Sequence, residues 1–385
     1  MLNFTFQNPT KILFGKGRIA DIHNEIPDGK KVLITYGGGS IKANGVLEQV
    51  KKALHGCNVS EFAGIEPNPT YETLMKCVHI VRTFKIDFLL AVGGGSVIDG
   101  TKFIAAAAFY EGDPWEMLAG GNAKITKALP FGTVLTLPAT GSEMNSNAVI
   151  TNKALCAKLA FGSPLLFPVF SVLDPQTTYT LPARQISNGV VDAFVHITEQ
   201  YLTYPVDAKV QDRFAEGLLL TLIEEGPKAL KEPLSYDVRA NLMWSATLAL
   251  NFLIGSGVPQ DWTTHMIGHE ITAFKGVDHA ATLAIVLPSL LKLKREEKKG
   301  KLLQYGQRVW GITEGTDDER IDKTIEKTAQ FFESMGIAIH LSDYGITEEN
   351  IQVIVDQLIT HGMVKLGERG TVTPDVARDI LKLSL

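Results

Sequence analysis

Apolar positions in the first half of the chain come in short runs separated by stretches with helical spacing. KKVLITY (30–36) is apolar and β-branched, which predicts a buried strand, and it stops at Gly37-Gly38-Gly39-Ser40. Helical spacing follows in GVLEQVKKAL (45–54), then an extended piece (VSEFAG, 59–64), a turn (EPNPT, 66–70) and a helix, YETLMKCVHIVRTF (71–84). A second strand, DFLLAV (87–92), stops at Gly93-Gly94-Gly95-Ser96 and leads into the helical VIDGTKFIAAAAF (97–109). TVLTLPATGSEMNSNAVIT (133–151) reads as a strand followed by a loop of small and hydroxyl residues, and FSVLDPQTTYTLP (170–182) as the last strand of this half. Strands that alternate with helices predict a parallel sheet covered on both faces.

Beyond about residue 183 the β-branched alternation fades. QDRFAEGLLLTLIEEGPKAL (211–230) and VRANLMWSATLALNFL (238–253) carry long helical patterns. Two domains are therefore expected, an α/β domain over 1–182 and a helical one over 183–385, since 385 residues exceed one compact core. The charge run KLKREEKKGK (292–301) is expected to be a solvated helix end.

Composition narrows the function classes. A hydrophobic fraction of 45% with 21% charged residues is that of an ordinary globular protein. A formal net charge of −5 argues against nucleic acid or an anionic membrane as partner. Apolar runs are interrupted well short of the ~20 residues that a bilayer-spanning helix needs, and the N-terminus lacks a signal-peptide pattern. Cys57, Cys77 and Cys156 are odd in number and widely spaced, which excludes a disulfide framework. Each is expected to be a small buried hydrophobe, and the location to be cytoplasmic.

Two features carry chemistry. The first is the spacing of Asp192 and His196 in VVDAFVH and of His265 and His269 in HMIGH, four residues apart in each case, with His279 three residues past Gly276. On helices, each pair shares a face, so one carboxylate and up to four imidazoles can converge. Such groups among apolar neighbours suit a borderline divalent ion such as zinc or ferrous iron. The second is the pair of strand–GGGS–helix turns. Glycines there allow backbone amides to approach a phosphate at a helix N-terminus, although neither turn fits GxGxxG, with Lys42 and Ile98 at the last position. Thr140, Gly141 and Ser142 are further candidates to line a pocket.

These motifs together resemble the iron-containing (group III) alcohol dehydrogenase family, in its NADPH-dependent aldehyde reductase and butanol dehydrogenase branch. The resemblance rests on ILFGKG (12–17), YGGGSIK (36–42), EPNPTYETL (66–74), AVGGGSVIDGTKFIAAA (91–107), LPATGSE (137–143), DAFVHITEQY (192–201), GVPQDWTTHMIGHEITA (257–273) and DHAATLAIVLP (278–288), and it covers essentially the whole chain. It implies a Rossmann-like α/β domain followed by an all-α domain, the dehydroquinate synthase-like fold, with the active site between them. It also implies reversible NADPH-dependent reduction of small aldehydes to primary alcohols, one iron or zinc ion, and a homodimer.

Carried onto this chain, the family's metal ligands fall on Asp192, His196, His265 and His279, which leaves His269 as a neighbouring or proton-handling group. Its pyrophosphate loop falls on Gly93, Gly94, Gly95 and Ser96. Asp99 follows one turn into the next helix, Thr140, Ser142 and Lys158 fall near the nicotinamide and ribose, Asn68 falls near the adenosine ribose, and Thr136 and Val149 are further cofactor-binding positions. Gly37 stands where NAD-preferring relatives carry an Asp. With Gly38, Gly39, Ser40 and Lys42 following, the resemblance favours NADP; the alternative is that Gly37 serves only a left-handed turn. Phe252, Leu253, Ile254 and Trp262 suggest an apolar pocket for a small aldehyde. A polyol or polyol-phosphate dehydrogenase on the same fold is the rival; a metal-dependent hydrolase would leave both GGGS turns unexplained.

Overall fold

A computed structural model of the chain describes residues 1–119 and 125–385. It divides into two compact units, one comprising 7–181 and 233–243, the other 1–6, 182–232 and 244–385. Two short segments thus lie apart from the domain expected to contain them.

In the first unit the elements run β1 (Lys11–Phe14), β2 (Lys31–Tyr36), α1 (Ser40–Ala43), α2 (Val46–Ala53), β3 (Asn58–Phe62), α3 (Tyr71–Phe84), β4 (Phe88–Gly94), α4 (Gly95–Ala107), α5 (Glu116–Ala119), β5 (Phe131–Leu137), β6 (Asn147–Asn152), β7 (Ala157–Gly162) and β8 (Phe170–Leu173). Six strands form one parallel sheet in the order β1-β8-β5-β4-β2-β3. Burial on both faces explains why β2 and β4 are continuous apolar runs rather than alternating ones. Leu33, Leu89 and Ala91 pack with Leu74 and Val78 of α3 and Ile98 of α4, whereas Val32, Ile34, Leu90 and Val92 pack with Val46 and Val50 of α2 and with Ile19 and Ile22. β2 pairs with β3 on one side and β4 on the other, with Tyr36 opposite Val92, so the direction of winding reverses between β2 and β4. The first GGGS follows the carboxyl end of β2 and the second spans the junction of β4 and α4, which is where open α/β sheets bind ligands.

The stretch expected to be a loop after β5 instead contains a hairpin, with β6 and β7 antiparallel and Thr151 opposite Lys158. The small and hydroxyl residues lie just before β6, and β7 has no β-branched residue to mark it as a strand. Cys77 is buried as expected and its thiol is pushed up to about 12 by burial. Cys57 is only half-buried and Cys156 is exposed in a turn at φ 47, so the burial expectation fails for them.

The helical unit contains α6 (Ala183–Tyr201), α7 (Lys209–Lys231), the second half of α8 (Tyr236–Ala249), α9 (Thr263–Lys275), α10 (His279–Leu293), α11 (Arg295–Arg308), α12 (Asp317–Ser334), α13 (Glu348–Thr360) and α14 (Pro374–Leu383). No described helix is long and apolar enough to cross a membrane. The charge run is not wholly solvated. Lys298 is 4% exposed, and its Nζ lies 2.7 Å from Asp261 Oδ2, 3.0 Å from both Glu368 carboxylate oxygens and 2.8 Å from Leu202 O. A buried ammonium is tolerable here because two carboxylates and a carbonyl replace its water.

Candidate active site

Three helices position the expected ligands. α6 is buried along nearly its whole length, and its 3.6-residue period turns Asp192, His196 and Glu199 toward one side. α9 contributes His265 and His269 and stops at Gly276, whose N–H donates to Thr272 O at 2.8 Å with φ at 71. That left-handed stop lets the chain restart within three residues, so His279 opens α10. A Cβ on Gly268 would sit 2.7 Å from Thr282 Oγ1. The glycine in HMIGH therefore lets α9 and α10 approach closely enough for their histidines to meet.

Asp192 Oδ1 lies 3.8 Å from His265 Nε2 and 3.7 Å from His279 Nε2. The donor atoms of these three residues all fall within 4.8 Å of one another. His196 lies against this trio: its Nδ1 is 3.5 Å from Asp192 Oδ1, and its ring stacks on His265 at 4.4 Å. His269 is buried, with its ring centroid 5.2 Å from that of His279. Trp262 packs edge-on 5.3 Å from His265, while Ile254 is buried and Phe252 takes φ 72.

The separations of 3.5–3.8 Å are too long for the groups to satisfy one another by hydrogen bonding. His265 Nε2 and His196 Nδ1 are buried without a hydrogen-bond partner. Burial opposes protonation of His265, but the Glu199 and Asp192 carboxylates outweigh it and lift the group to about 9. Burial pushes His196 down to about 4, against the pull of Asp192. A mixed carboxylate and imidazole set fits a borderline divalent cation.

Residues beyond those expected complete the surroundings. Glu199 accepts from the Thr264 N–H at 2.6 Å and pairs with His265 Nδ1. It stands seven residues after Asp192, two turns along the same helix face, and an acid in so apolar a helix is itself a signal of a partner. His361 contacts buried Glu270 through Nδ1 at 2.7 Å.

In the α/β unit the expected cofactor residues gather around β4, β5 and the hairpin. Cβ atoms on Gly94 and Gly95 would come 2.9 Å from Leu137 Cβ and 2.5 Å from Thr140 Oγ1, so these glycines bring the Thr140 loop against the start of α4. Asp99 accepts from Ser142 Oγ at 2.6 Å and from Val149 N at 2.9 Å. Lys102, buried on α4, donates to Ser142 Oγ (2.7 Å), Asn145 Oδ1 (3.0 Å) and Asn147 O (2.7 Å). Burial pushes its ammonium down to about 8. Ser142 is therefore buried and engaged on both sides, a support for the loop. Thr136 and Lys158 are buried, and Asn68, at φ 55, precedes Pro69, whose carbonyl accepts from Thr151 N at 2.9 Å.

At the first turn it is Gly39, at φ 104, that takes the left-handed conformation, and Gly37 does not. A Cβ on Gly37 would meet only Ile65 O at 3.1 Å and Val97 Cγ2 at 3.8 Å. Lys42 Nζ lies 5.2 Å from the centre of the Tyr36 ring, and the Tyr36 hydroxyl donates to Glu61 Oε2 at 2.7 Å.

Comparison with known proteins agrees with this arrangement. Residues 9–175 match the iron-containing alcohol dehydrogenase family model, and 186–382 match the C-terminal domain of the Fe-containing alcohol dehydrogenase family. The chain is 63% identical to the NADPH-dependent aldehyde reductase YqhD of Escherichia coli K12, covering 99% of both. It is 43% identical to a probable NADH-dependent butanol dehydrogenase of Bacillus subtilis, covering 100% of both. A crystal structure of YqhD from Escherichia coli K-12 superimposes with a TM-score of 0.99 at 62% identity, over 100% of this chain and 99% of that one. The chain belongs to the iron-containing alcohol dehydrogenase family.

Proposed function

We propose that this protein reduces small aldehydes to primary alcohols with NADPH, in a reaction that depends on one divalent metal ion. The observation that carries the proposal is the convergence of ligand atoms from Asp192, His265 and His279 within 4.8 Å of one another, two of the residues buried and His279 partly so. Those three residues, with His196 as the fourth ligand, would hold iron or zinc. When bound, the ion supplies a Lewis acid for the carbonyl oxygen, and NADPH supplies the hydride. His269 holds the proton that the alcohol product takes up. Trp262 lends the site an apolar wall, and Asp192, His196 and His265 are buried while His279 is partly open to solvent.

Gly93, Gly94, Gly95 and Ser96 at the start of α4 are the proposed pyrophosphate site. The choice of NADPH rests on Gly37, where no carboxylate repels a 2′-phosphate, and on Ser40 and Lys42 beside it. Relatives named for either cofactor make this choice testable rather than inherited. Homodimer formation and a cytoplasmic location remain proposals, the first to be tested by light scattering on the eluted protein. Following NADPH consumption across a series of aldehydes, before and after metal removal, tests the function. Activity that survives complete removal of metal overturns it. A preference for phosphorylated polyols over simple aldehydes would favour the polyol-phosphate reading.

A further inference from the structure

We propose that Glu199 is a positioning residue that fixes the tautomer of His265, keeping the ring proton on Nδ1 and leaving the Nε2 lone pair for the metal. This rests on the metal site proposed above. A carboxylate only accepts hydrogen bonds. One oxygen of Glu199 accepts from the Thr264 backbone N–H at 2.6 Å, and the other is paired with His265 Nδ1. Nδ1 must therefore be the donor. With Nδ1 held as the donor, Nε2, 3.8 Å from Asp192 Oδ1, is the nitrogen whose proton a metal would displace and whose lone pair it would take.

The same residue also holds α6 and α9 in register. The Glu199 carbonyl accepts from Asp261 N at 2.9 Å, and Asp261 accepts in turn from Thr263 N at 3.0 Å and pairs with Lys298 at 2.7 Å. Through its backbone and its side chain, Glu199 joins the helix bearing Asp192 and His196 to the first turn of the helix bearing His265. At 2% exposure the carboxylate has no water to compete for these bonds.

Glu199→Gln tests the assignment because it keeps size and shape. An amide has one acceptor oxygen where the carboxylate has two. The Thr264 N–H cannot reverse its polarity and keeps that oxygen. The amide nitrogen then donates to His265 Nδ1 and drives the ring proton onto Nε2, where it blocks the metal. Metal-stripped wild type, Glu199→Gln and Glu199→Asp are titrated with cobalt(II) against a competing chelator. The expected result is affinity about 10–100-fold weaker in Glu199→Gln, with Glu199→Asp, which keeps both acceptors, falling between it and wild type. The visible bands of bound cobalt should also change in Glu199→Gln, which a general loss of stability would not produce. NADPH binding serves as the control for folding and should be unaltered. In wild-type protein labelled with nitrogen-15 histidine and loaded with cadmium, the metal coupling should reach His265 through Nε2, and coupling through Nδ1 overturns the assignment without any variant. Cobalt affinity in Glu199→Gln within about twofold of wild type overturns it alone. A wild type that takes up no cobalt overturns it together with the metal site.

Discussion

The two units each bury a cluster of ionisable groups, and the clusters differ in one respect. Around Lys102 the polarity closes on itself. Its ammonium reaches three acceptors, the Ser142 hydroxyl donates in turn to Asp99, and Asp99 also accepts from the Val149 N–H. Around Asp192 the ligand atoms of Asp192, His265 and His279 gather within 4.8 Å of one another, and His265 Nε2, which faces Asp192 at 3.8 Å, has no hydrogen-bond partner. Burial and charge are common to both; only the second has lone pairs aimed at a shared point. That mismatch, rather than buried charge, marks a ligand site, because an unanswered buried polar atom costs about 1–3 kcal/mol unless something external answers it.

The contrast breaks most severely at the ligands. His265→Ala and His279→Ala should each lose metal and turnover below detection while keeping the wild-type circular dichroism spectrum. Near-wild-type activity with the metal gone would end the Lewis-acid account. His269→Ala should leave metal content unchanged and slow turnover by about 10²–10⁴-fold, the range for a general acid or base. Loss of metal in that variant would make His269 a ligand.

A closed cluster should instead respond in stability. Lys298→Met strands Asp261 and Glu368 in the interior and should cost about 3–5 kcal/mol by denaturant midpoint, where an exposed lysine would change it by about 0.5 or less. The smallest effect is expected at Gly37. Because the left-handed position belongs to Gly39, Gly37→Asp incurs no φ penalty and crowds only Ile65 O at 3.1 Å. It should shift the NADPH to NADH ratio of kcat/KM by about tenfold or more toward NADH. Equal loss with both cofactors would remove Gly37 as the determinant.

Much of this was legible where local pattern and environment agree. The helical period of YETLMKCVHIVRTF coincides with α3, and the break at Gly276 lies where the histidine spacing required it. The DxxxH and HxxxH spacings identified the ligand candidates because a helix converts four residues into one turn. Elsewhere the deciding partner is distant in sequence. Nothing local tells Lys298 from Lys299, since its burial depends on Asp261 and Glu368. The β6–β7 hairpin was missed because β6 directly follows the small and hydroxyl residues of 139–146 and β7 carries no β-branched residue. Glu199 escaped notice for a related reason: its role depends on the first turn of α9, more than sixty residues on.

The account stands on the open cluster holding a metal that the reaction needs. The most direct measurement is to strip the protein with chelator and return zinc(II) or iron(II) while following NADPH oxidation by a short aliphatic aldehyde. Activity should vanish on stripping and return in step with added metal, reaching its plateau at one ion per chain, with no return in His265→Ala. Full activity in the stripped protein, or equal recovery in His265→Ala, would contradict it.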